Sequence, residues 1–255
     1  MKQVLITGAS SGIGFETAII FAEKGYRIIA LSRNVLGLKK LQEKIGNTHL
    51  FIKFDLTQTE KIPQFILNLK KQAGSIDILI NNAGVGLFKK LEDVSDKEIT
   101  QVISVNLLAP MILCREIIPL MKENGGTIVN IASVAGKRTW KHLSIYSASK
   151  FGLIGLSNSL RREFAYYHYP ISVVVVCPPV TNTPFFENAG YSDYKKDHPG
   201  QNLISSQEVA RIIYEAAIKK KREVIITGRA KILDKAAALF PRLTESLEDN
   251  LRKMK

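Results

Sequence analysis

The chain has 255 residues, of which 45% are apolar and 23% are charged, a balance typical of globular proteins. This balance excludes a disordered chain and a collagen-like chain. A disulfide scaffold is excluded because only two cysteines are present and they lack the spacing of such frameworks. An excess of 36 Lys and Arg over 23 Asp and Glu gives a net charge of +13. That charge fits a nucleic acid, an anionic membrane surface, an acidic ligand or simply a solvated basic surface.

Cysteine usage and hydropathy predict a cytoplasmic protein. Cys114 and Cys177 both lie within apolar runs, where a free thiol is usually a small buried hydrophobe, so a reducing compartment fits. No apolar run reaches 18 residues, the length expected of a membrane-spanning helix. A strand-like segment begins already at Val4, where a signal peptide would need its apolar region.

Short apolar runs alternate along the chain with longer amphipathic stretches. Runs that are apolar on both faces are typical of buried parallel strands, and they occupy Val4–Gly8, Arg27–Arg33, Leu50–Leu56, Ile76–Asn81, Thr127–Ala132, Ile171–Cys177 and Glu223–Thr227. Helical spacing occurs in Ile13–Lys24, Val35–Ile45, Glu60–Ala73, Asp96–Lys122, Ile145–Tyr167 and Ser206–Lys220. The alternation predicts an α/β fold, a doubly wound parallel sheet of about seven strands flanked by helices, in one domain over residues 1–228. Residues 229–255 break the rhythm and predict a C-terminal helical extension of that domain.

A glycine-rich turn follows the first predicted strand. It reads Thr7-Gly8-Ala9-Ser10-Ser11-Gly12-Ile13-Gly14 and leads into a helical pattern. Glycines at such a turn let the backbone bend tightly and bring a helix N-terminus up to a pyrophosphate, whose charge the free N–H groups favour. The turn therefore predicts a dinucleotide site whose contacts are Gly8, Ser10, Ser11, Gly12, Ile13 and Gly14.

The end of the second predicted strand bears on which dinucleotide binds. Ser32, Arg33 and Asn34 stand there, where NAD-preferring folds place an acid that holds the ribose 2′-hydroxyl. A guanidinium can instead form a charge-assisted fork with a 2′-phosphate. We therefore expect NADP(H), with NAD(H) as the alternative; the competing interpretation is a plain surface arginine at a strand end.

A tyrosine and a lysine stand one helical turn apart near the start of a later helix. Tyr146 and Lys150 therefore point to one face. A free tyrosine titrates near about 10, and a neighbouring ammonium is expected to lower that pKa by stabilising the phenolate. Such a pair can give a proton to a carbonyl oxygen or take one from an alcohol. For an isolated Tyr-x3-Lys, the competing interpretation is an exposed helix pair.

Five motifs in order make the sequence similar to the short-chain dehydrogenase/reductase family. The glycine turn matches the family's Thr-Gly-x3-Gly-Ile-Gly signature, Asn81-Asn82-Ala83-Gly84 follows the fourth strand, and Asn106 lies in a long helical pattern. Ser133 closes the fifth strand, and Tyr146 and Lys150 match Tyr-x3-Lys. The resemblance covers about residues 4–228. It implies a Rossmann fold with strand order 3-2-1-4-5-6-7.

The resemblance also implies roles for these residues. Tyr146 would be the general acid and base, Ser133 would hydrogen-bond the reacting oxygen, Lys150 would also hold the nicotinamide ribose, and Asn106 would hold a proton-relay water. Asp55 and Leu56 would border the adenine, although a helix-cap or turn role for Asp55 is equally open. The remaining cofactor contacts implied are Asn82, Ala83, Gly84, Pro178, Thr181 and Thr183, the last holding the carboxamide.

One position departs from the family pattern. Pro179 stands where the family has glycine. Proline fixes φ near about −65° and lacks an N–H, so we expect a stiffer or differently shaped loop at this point.

The activity implied is hydride transfer between the nicotinamide and a carbonyl or secondary alcohol, which makes the chain an NADP(H)-dependent oxidoreductase. Alternatives are a 3-oxoacyl-[acyl-carrier-protein] reductase, a non-catalytic NADP-binding regulator and a nucleic-acid binder. The intact Ser133, Tyr146 and Lys150 set disfavours the regulator, and the absence of clustered basic and aromatic motifs disfavours the binder. We expect no catalytic metal, because the four histidines show no ligand spacing.

The expected partners are a small carbonyl or alcohol substrate and further copies of the chain, without nucleic acid. The substrate pocket should be walled by Val85–Leu87, Val134–Ile145 and Phe185–Gln201. By resemblance, two long helices should pair subunits into a homodimer or homotetramer. The C-terminal tail should dock or oligomerise, rather than lie on a membrane surface.

Overall fold

The structure is a computed structural model that describes residues 1–185, 189–191 and 203–226. The strands there are β1 (Gln3–Thr7), β2 (Arg27–Ser32), β3 (Leu50–Lys53), β4 (Ile78–Asn81), β5 (Gly126–Ile131), β6 (Ile171–Cys177), β7 (Thr181–Asn182), β8 (Ile204–Ser205) and β9 (Glu223–Ile225). The helices are α1 (Gly12–Glu23), α2 (Val35–Ile45), α3 (Ile62–Ala73), α4 (Asp96–Ile103), α5 (Ala109–Met121), α6 (Ser144–Tyr166) and α7 (Ser206–Ile218). The predicted extension 229–255 and the domain boundary at 228 lie outside the described residues.

Seven of these strands form one parallel sheet in the order β3-β2-β1-β4-β5-β6-β9. This confirms the predicted doubly wound sheet and its strand order. The order reverses between β1 and β4, which pair in parallel through Leu5 and Leu79. In open α/β sheets, ligands bind in the crevice at such a reversal, beyond the carboxyl ends of the strands.

The alternation of side chains along each strand builds two cores, one on each face of the sheet. Val4 and Ile6 pack on the side covered by α1, α2 and α7, whereas Leu5 packs on the side covered by α3, α5 and α6. Both faces are therefore apolar, which explains why the strands read as continuous apolar runs rather than alternating ones.

The long helix predicted over Asp96–Lys122 is interrupted. A π-helical turn at Ser104–Leu108 separates α4 from α5, because one turn accommodates an extra residue. This turn carries Asn106 inward, where it is fully buried. A second feature absent from the prediction is a small parallel pair, β7 with β8, in which Thr181 faces Ile204.

The segment Asp96–Met121 is long and apolar enough to span a membrane by length and composition, in contrast to the sequence-based expectation. Half of its most apolar window is buried inside the fold. Leu113, Ile117 and Met121 belong to the core between this segment and the sheet. We therefore assign it as a core helix.

Candidate active site

The glycine turn after β1 forms a narrow backbone cradle. Gly8 and Gly12 have φ of 68° and 55°, a left-handed conformation that favours glycine. A Cβ at Gly8 would lie 2.8 Å from the Cα of Ala83, and one at Gly12 would lie 3.0 Å from the Thr183 methyl group. Ser11, which precedes α1, makes no side-chain cap bond. The first N–H groups of α1 thus remain available for an anion, and the cradle fits a pyrophosphate.

Hydrogen bonds tie this cradle to the end of β4. The Thr7 hydroxyl accepts from the N–H groups of Asn82 and Ala83, both at 3.0 Å. The Asn82 amide donates to the carbonyl oxygens of Thr7 and Gly8 at 2.9 and 3.3 Å. The side chain of Asn82 therefore holds the turn itself, while Gly84 beyond it is exposed.

Arg33 is the charged group that faces outward at the end of β2. Its side chain is 52% exposed, and its Nη1 lies 4.0 Å from Oδ2 of Asp55. Beside it, the Ser32 hydroxyl donates to the Ser10 hydroxyl at 2.7 Å. This bond joins the glycine turn to the strand end that would hold the adenosine ribose.

The other residues predicted at the adenine end have structural partners. The Asn34 side chain caps α2 by accepting from the N–H of Gly37 at 3.0 Å. Asp55 accepts from the N–H and hydroxyl of Thr57, both at 2.9 Å, which gives it the turn role left open above. Leu56 is buried in the core beneath. Adenine contacts by these residues stay predictions.

Ser133, Tyr146 and Lys150 come together at the carboxyl end of β5. Tyr146 and Lys150 lie in the first two turns of α6 and are only 8% and 4% exposed. Ser133 follows β5 and is hydrogen-bonded to the Tyr146 phenol. The Lys150 ammonium donates to the carbonyl of Ile131 at 2.9 Å and lies 5.8 Å from the centre of the Tyr146 ring.

Burial controls the protonation of this pair. It raises the pKa of Tyr146 to about 12, a rise that the Ser133 hydrogen bond opposes and Cys177 reinforces. Burial also lowers the pKa of Lys150 to about 8, because desolvation disfavours both charged forms. The expected lowering of the tyrosine pKa by Lys150 is therefore wrong. The phenol keeps its proton at neutral pH, as an acid for a carbonyl oxygen must.

Asn106 links the loop after β4 to α6. Its Oδ1 accepts from the N–H of Val85 at 2.8 Å, and its Nδ2 donates to the Val85 carbonyl at 2.9 Å and to the Ser149 hydroxyl at 3.1 Å. Ser149 in turn donates to the carbonyl of Tyr146 at 2.6 Å. Asn106 thus fixes two segments of the site, and its predicted contact with a relay water stays a prediction.

The dinucleotide crevice and the reactive pair meet at Gly84. A Cβ there would lie 3.5 Å from both Oδ1 of Asn106 and Nζ of Lys150. Glycine at this position keeps open the space in front of Lys150. Gly84 thus adjoins the reactive pair, and the preceding Ala83 adjoins Gly8 of the glycine cradle.

Two of the three predicted substrate walls contribute aromatic rings, and Phe88 directly follows the first wall. The Phe185 ring lies 5.3 Å from the Tyr146 ring, at an interplanar angle of 58°. Phe88 stacks between His142 and Tyr191, with ring centres at 5.3 and 4.2 Å. Part of the third wall lies outside the described residues. In the described part, Phe185 places an apolar ring beside the phenol.

The loop after β6 returns to the glycine cradle. The Pro178 carbonyl accepts from the N–H of Val134 at 3.1 Å, and the Thr181 hydroxyl donates to the Pro179 carbonyl at 2.9 Å. Thr183 then lies against Gly12. The loop thus brings Thr183 to the cradle despite the proline that replaces glycine.

Several contributors were not identified from the sequence. The hydroxyl of Thr7 belongs to the glycine motif and Ser149 to Tyr-x3-Lys, so a signal for both was present. The carbonyl of Ile131, which anchors Lys150, is a backbone group that no residue type reveals. Within the part of the chain that the structure describes, no group of three or more His, Cys, Asp and Glu side chains could hold a metal ion.

Comparison with known proteins agrees with this geometry. A family model described as short chain dehydrogenase matches residues 2–193. An uncharacterized oxidoreductase of Bacillus subtilis (strain 168) is 32% identical, covering 98% of this chain and 72% of that protein. A 3-oxoacyl-[acyl-carrier-protein] reductase of Mus musculus is 30% identical, covering 91% and 96%.

A solved structure shares the fold. It is an alcohol dehydrogenase from the archaeon Thermococcus sibiricus complexed with 5-hydroxy-NADP; it superposes with a TM-score of 0.76 at 25% identity and covers 89% of this chain and 96% of that one. The family model spans most of the chain, and the B. subtilis and mouse relatives are both at least 30% identical and are covered over more than two thirds of their length. The chain is therefore a member of the short-chain dehydrogenase/reductase family, an oxidoreductase that acts on alcohol or carbonyl groups.

Proposed function

We propose that the protein is an NADP(H)-dependent oxidoreductase that interconverts a carbonyl compound and a secondary alcohol in the cytoplasm. The observation that supports the proposal is the cluster of Ser133 with the buried Tyr146 and Lys150, which Gly84 and Ala83 connect to the glycine cradle. A general acid and a dinucleotide cradle are thereby placed side by side.

The residues of the chain bind and orient the cofactor and the substrate, and they transfer a proton. The nicotinamide, when bound, supplies or accepts the hydride. Tyr146 donates its phenolic proton to the substrate oxygen, and Ser133 holds that oxygen beside the phenol. Lys150 lies next to the crevice at Gly84, in position to bond a ribose hydroxyl. The Phe185 ring, 5.3 Å from the Tyr146 ring, shields the reacting oxygen from water.

The preference for NADP(H) rests on Arg33. Its guanidinium is half-exposed beyond β2, and Asp55 lies at the outer limit of ion-pair distance, so the cation can turn to a 2′-phosphate at little cost. The T. sibiricus structure, which holds an NADP derivative, supports the same choice.

Two variants test the proposal. Arg33→Ala should lower kcat/KM for NADPH by roughly 10- to 100-fold, as expected for a lost hydrogen bond to a charged group, and leave the value for NADH nearly unchanged. Lys44→Ala, an exposed cation at the far end of α2, is the control. A wild-type preference for NADH, or an unchanged ratio in Arg33→Ala, would refute NADP(H).

The second variant addresses catalysis. Tyr146→Phe should retain NADPH binding, measured by fluorescence titration, but lose roughly 10²- to 10⁴-fold in turnover, because a positioned proton donor supplies that much. Substantial turnover in this variant would reject Tyr146 as the acid.

A 3-oxoacyl-[acyl-carrier-protein] reductase is the second candidate, favoured by the 30% identity to the mouse enzyme over nearly its whole length. Comparing acetoacetyl thioesters with simple ketones and diketones separates the two. A preference of kcat/KM for thioesters of at least tenfold would select the reductase.

We also propose a homodimer or homotetramer. Met111 on α5 and Phe151 on α6 are exposed apolar side chains on the helices predicted to pair. Sedimentation equilibrium tests this, and a monomer at micromolar concentration would contradict it.

A further inference from the structure

Helices α6 and α7 pack on opposite faces of the sheet, and both end at the rim opposite the candidate active site. β6 begins at Ile171 soon after α6 ends, and β9 begins at Glu223 soon after α7 ends, so this rim holds the amino ends of the strands. A cleft of about 310 Å³ opens there, lined by Phe164, Tyr169, Arg161, Lys220 and Arg222 among others. This rim is remote from the groups assigned to catalysis.

The hydrogen bonds that Arg161 makes in this cleft all go to neutral oxygen atoms. Arg161 donates from Nε to the Val173 carbonyl at 2.8 Å, from Nη1 to the Asn158 amide oxygen at 2.6 Å and from Nη2 to the Arg222 carbonyl at 2.5 Å. Within the described ranges it forms no salt bridge. Burial, and then Arg222, lowers the pKa of Arg161, a shift that Glu223 opposes.

Two acidic side chains near this rim have lysine partners, and a third, Glu163 in the last turn of α6, is exposed. Glu223 pairs with Lys137, and Glu215 pairs with Lys219 at 3.2 Å. Lys220, Lys221 and Arg222 follow directly in the chain. The rim therefore keeps an excess of positive charge for an anion to neutralise.

Exposed aromatic side chains stand beside these cations. Tyr166 and Tyr167 are 78% and 59% exposed at the end of α6, although both are large aromatic residues. Their rings meet edge to face at 5.0 Å, and Tyr167 stacks on Tyr169 at 5.7 Å. Exposed tyrosines beside lysines are typical of protein surfaces that sit at lipid headgroups.

The backbone at this rim is strained at two positions. His168 follows α6 with φ of 57°, and Lys220 follows α7 with φ of 50°. Glycine is the usual residue at such a left-handed helix end, and another residue there costs on the order of 1 kcal/mol or more. Lys220 therefore makes the folded protein less stable than a glycine at this position would. Such a cost is expected if the lysine charge serves to bind a ligand.

We propose that the surface formed by Arg161, Tyr166, Tyr167, Lys220, Lys221 and Arg222 docks the protein on an anionic lipid bilayer. A lipid phosphate lies in the cleft, and the two tyrosines lie at headgroup level. Charge complementarity favours an anionic bilayer, and the tyrosines outside the cleft favour a bilayer over a free phosphate, which would leave them uncovered. The candidate active site then faces away from the membrane.

The test is vesicle co-sedimentation of the full chain at low and high salt. Vesicles of phosphatidylcholine with 30% phosphatidylserine (roughly a third anionic lipid) should bind the protein, salt should weaken binding, and pure phosphatidylcholine should not bind. Lys220→Gln with Lys221→Gln should weaken binding roughly 25-fold, at about fivefold for each charge near the surface. Lys39→Gln with Lys40→Gln, an exposed lysine pair in the first half of α2 and away from this rim, should change it less than twofold.

A second variant separates binding from folding. Lys220→Gly should raise the melting temperature, because glycine relieves the left-handed strain, and still bind vesicles about fivefold more weakly. Lack of binding to anionic vesicles, or equal binding by the wild type and the Lys220/Lys221 variant, would overturn the proposal; the second result would place the contact elsewhere, including residues 227–255. Stabilisation by millimolar inorganic phosphate without vesicle binding would also overturn it, in favour of a soluble phosphate.

Discussion

The buried ammonium of Lys150 should cost the protein stability at neutral pH. Its side chain is 4% exposed, and burial lowers its pKa from 10.5 to about 8. At about 1.4 kcal/mol for each pH unit, this difference makes the charged form roughly 3 kcal/mol less favourable in the folded chain. Lys150→Met removes the charge but leaves the Ile131 carbonyl without its donor, which costs about 1 kcal/mol. The net expected gain is roughly 2 kcal/mol at pH 7.

The gain should depend on pH in a defined direction. Below pH 8 the folded and unfolded chains both hold the Lys150 proton, so the wild type bears the full penalty. Between about pH 8 and 10.5 the unfolded chain binds more protons, so wild-type stability rises with pH. The advantage of Lys150→Met should therefore shrink to roughly zero near pH 9.5.

Urea unfolding of dinucleotide-free protein at pH 7 and 9.5, at fixed protein concentration, measures both effects. The gain at pH 7 corresponds to a rise in Tm of roughly 4–8 °C for a domain of this size, while carbonyl reduction should be lost. Lys71→Met, at an exposed position, should change stability by less than about 0.5 kcal/mol. A destabilised Lys150→Met at pH 7, or a difference that does not vary with pH, would refute the reasoning.

Two further predictions concern the cradle and the phenol. Gly14→Ala should destabilise the protein by about 1–3 kcal/mol in urea unfolding, because its Cβ would overlap the Gly8 carbonyl. The control Gly155→Ala in α6, whose Cβ meets nothing within 4 Å, should stabilise the protein by about 0.5–1 kcal/mol. Equal effects of the two substitutions would contradict the close packing at the cradle. Ser133→Ala should move the pH profile of alcohol oxidation to higher pH, because the bond that lowers the Tyr146 pKa is lost. An unchanged profile, or a shift to lower pH, would argue against this assignment.

Strand order and cradle could be predicted because their signals are local and repeated. Each buried strand is a short apolar run, and the left-handed turn needs glycine at Gly8 and Gly12. Ends of elements were less accurate: β3 stops at Lys53, short of the predicted Leu56, because Leu56 packs in the core without pairing. The π turn around Asn106 has no composition of its own, so the sequence predicted one continuous helix.

Electrostatics within the site could not be predicted from residue type. Two groups four positions apart suggest a charge interaction, but burial decides which protonation state each adopts. The sequence places Lys150 beside Tyr146, whereas the structure shows its ammonium bound to the Ile131 carbonyl. The stacked rings of Phe88, His142 and Tyr191 come from distant segments of the chain. No pattern along the sequence predicts such a contact.

The hydrogen bonds of Asn106 to Val85 and Ser149 have a mechanical consequence. The Asn106 amide bonds the backbone of Val85 and, through Ser149, the backbone carbonyl of Tyr146, the proposed acid. A bulky ligand that displaces the loop after β4 must therefore also displace α6 or break a hydrogen bond of the buried Asn106 amide. This loop and α6 are therefore expected to move together, so space for a large substrate has to come from other parts of the pocket wall.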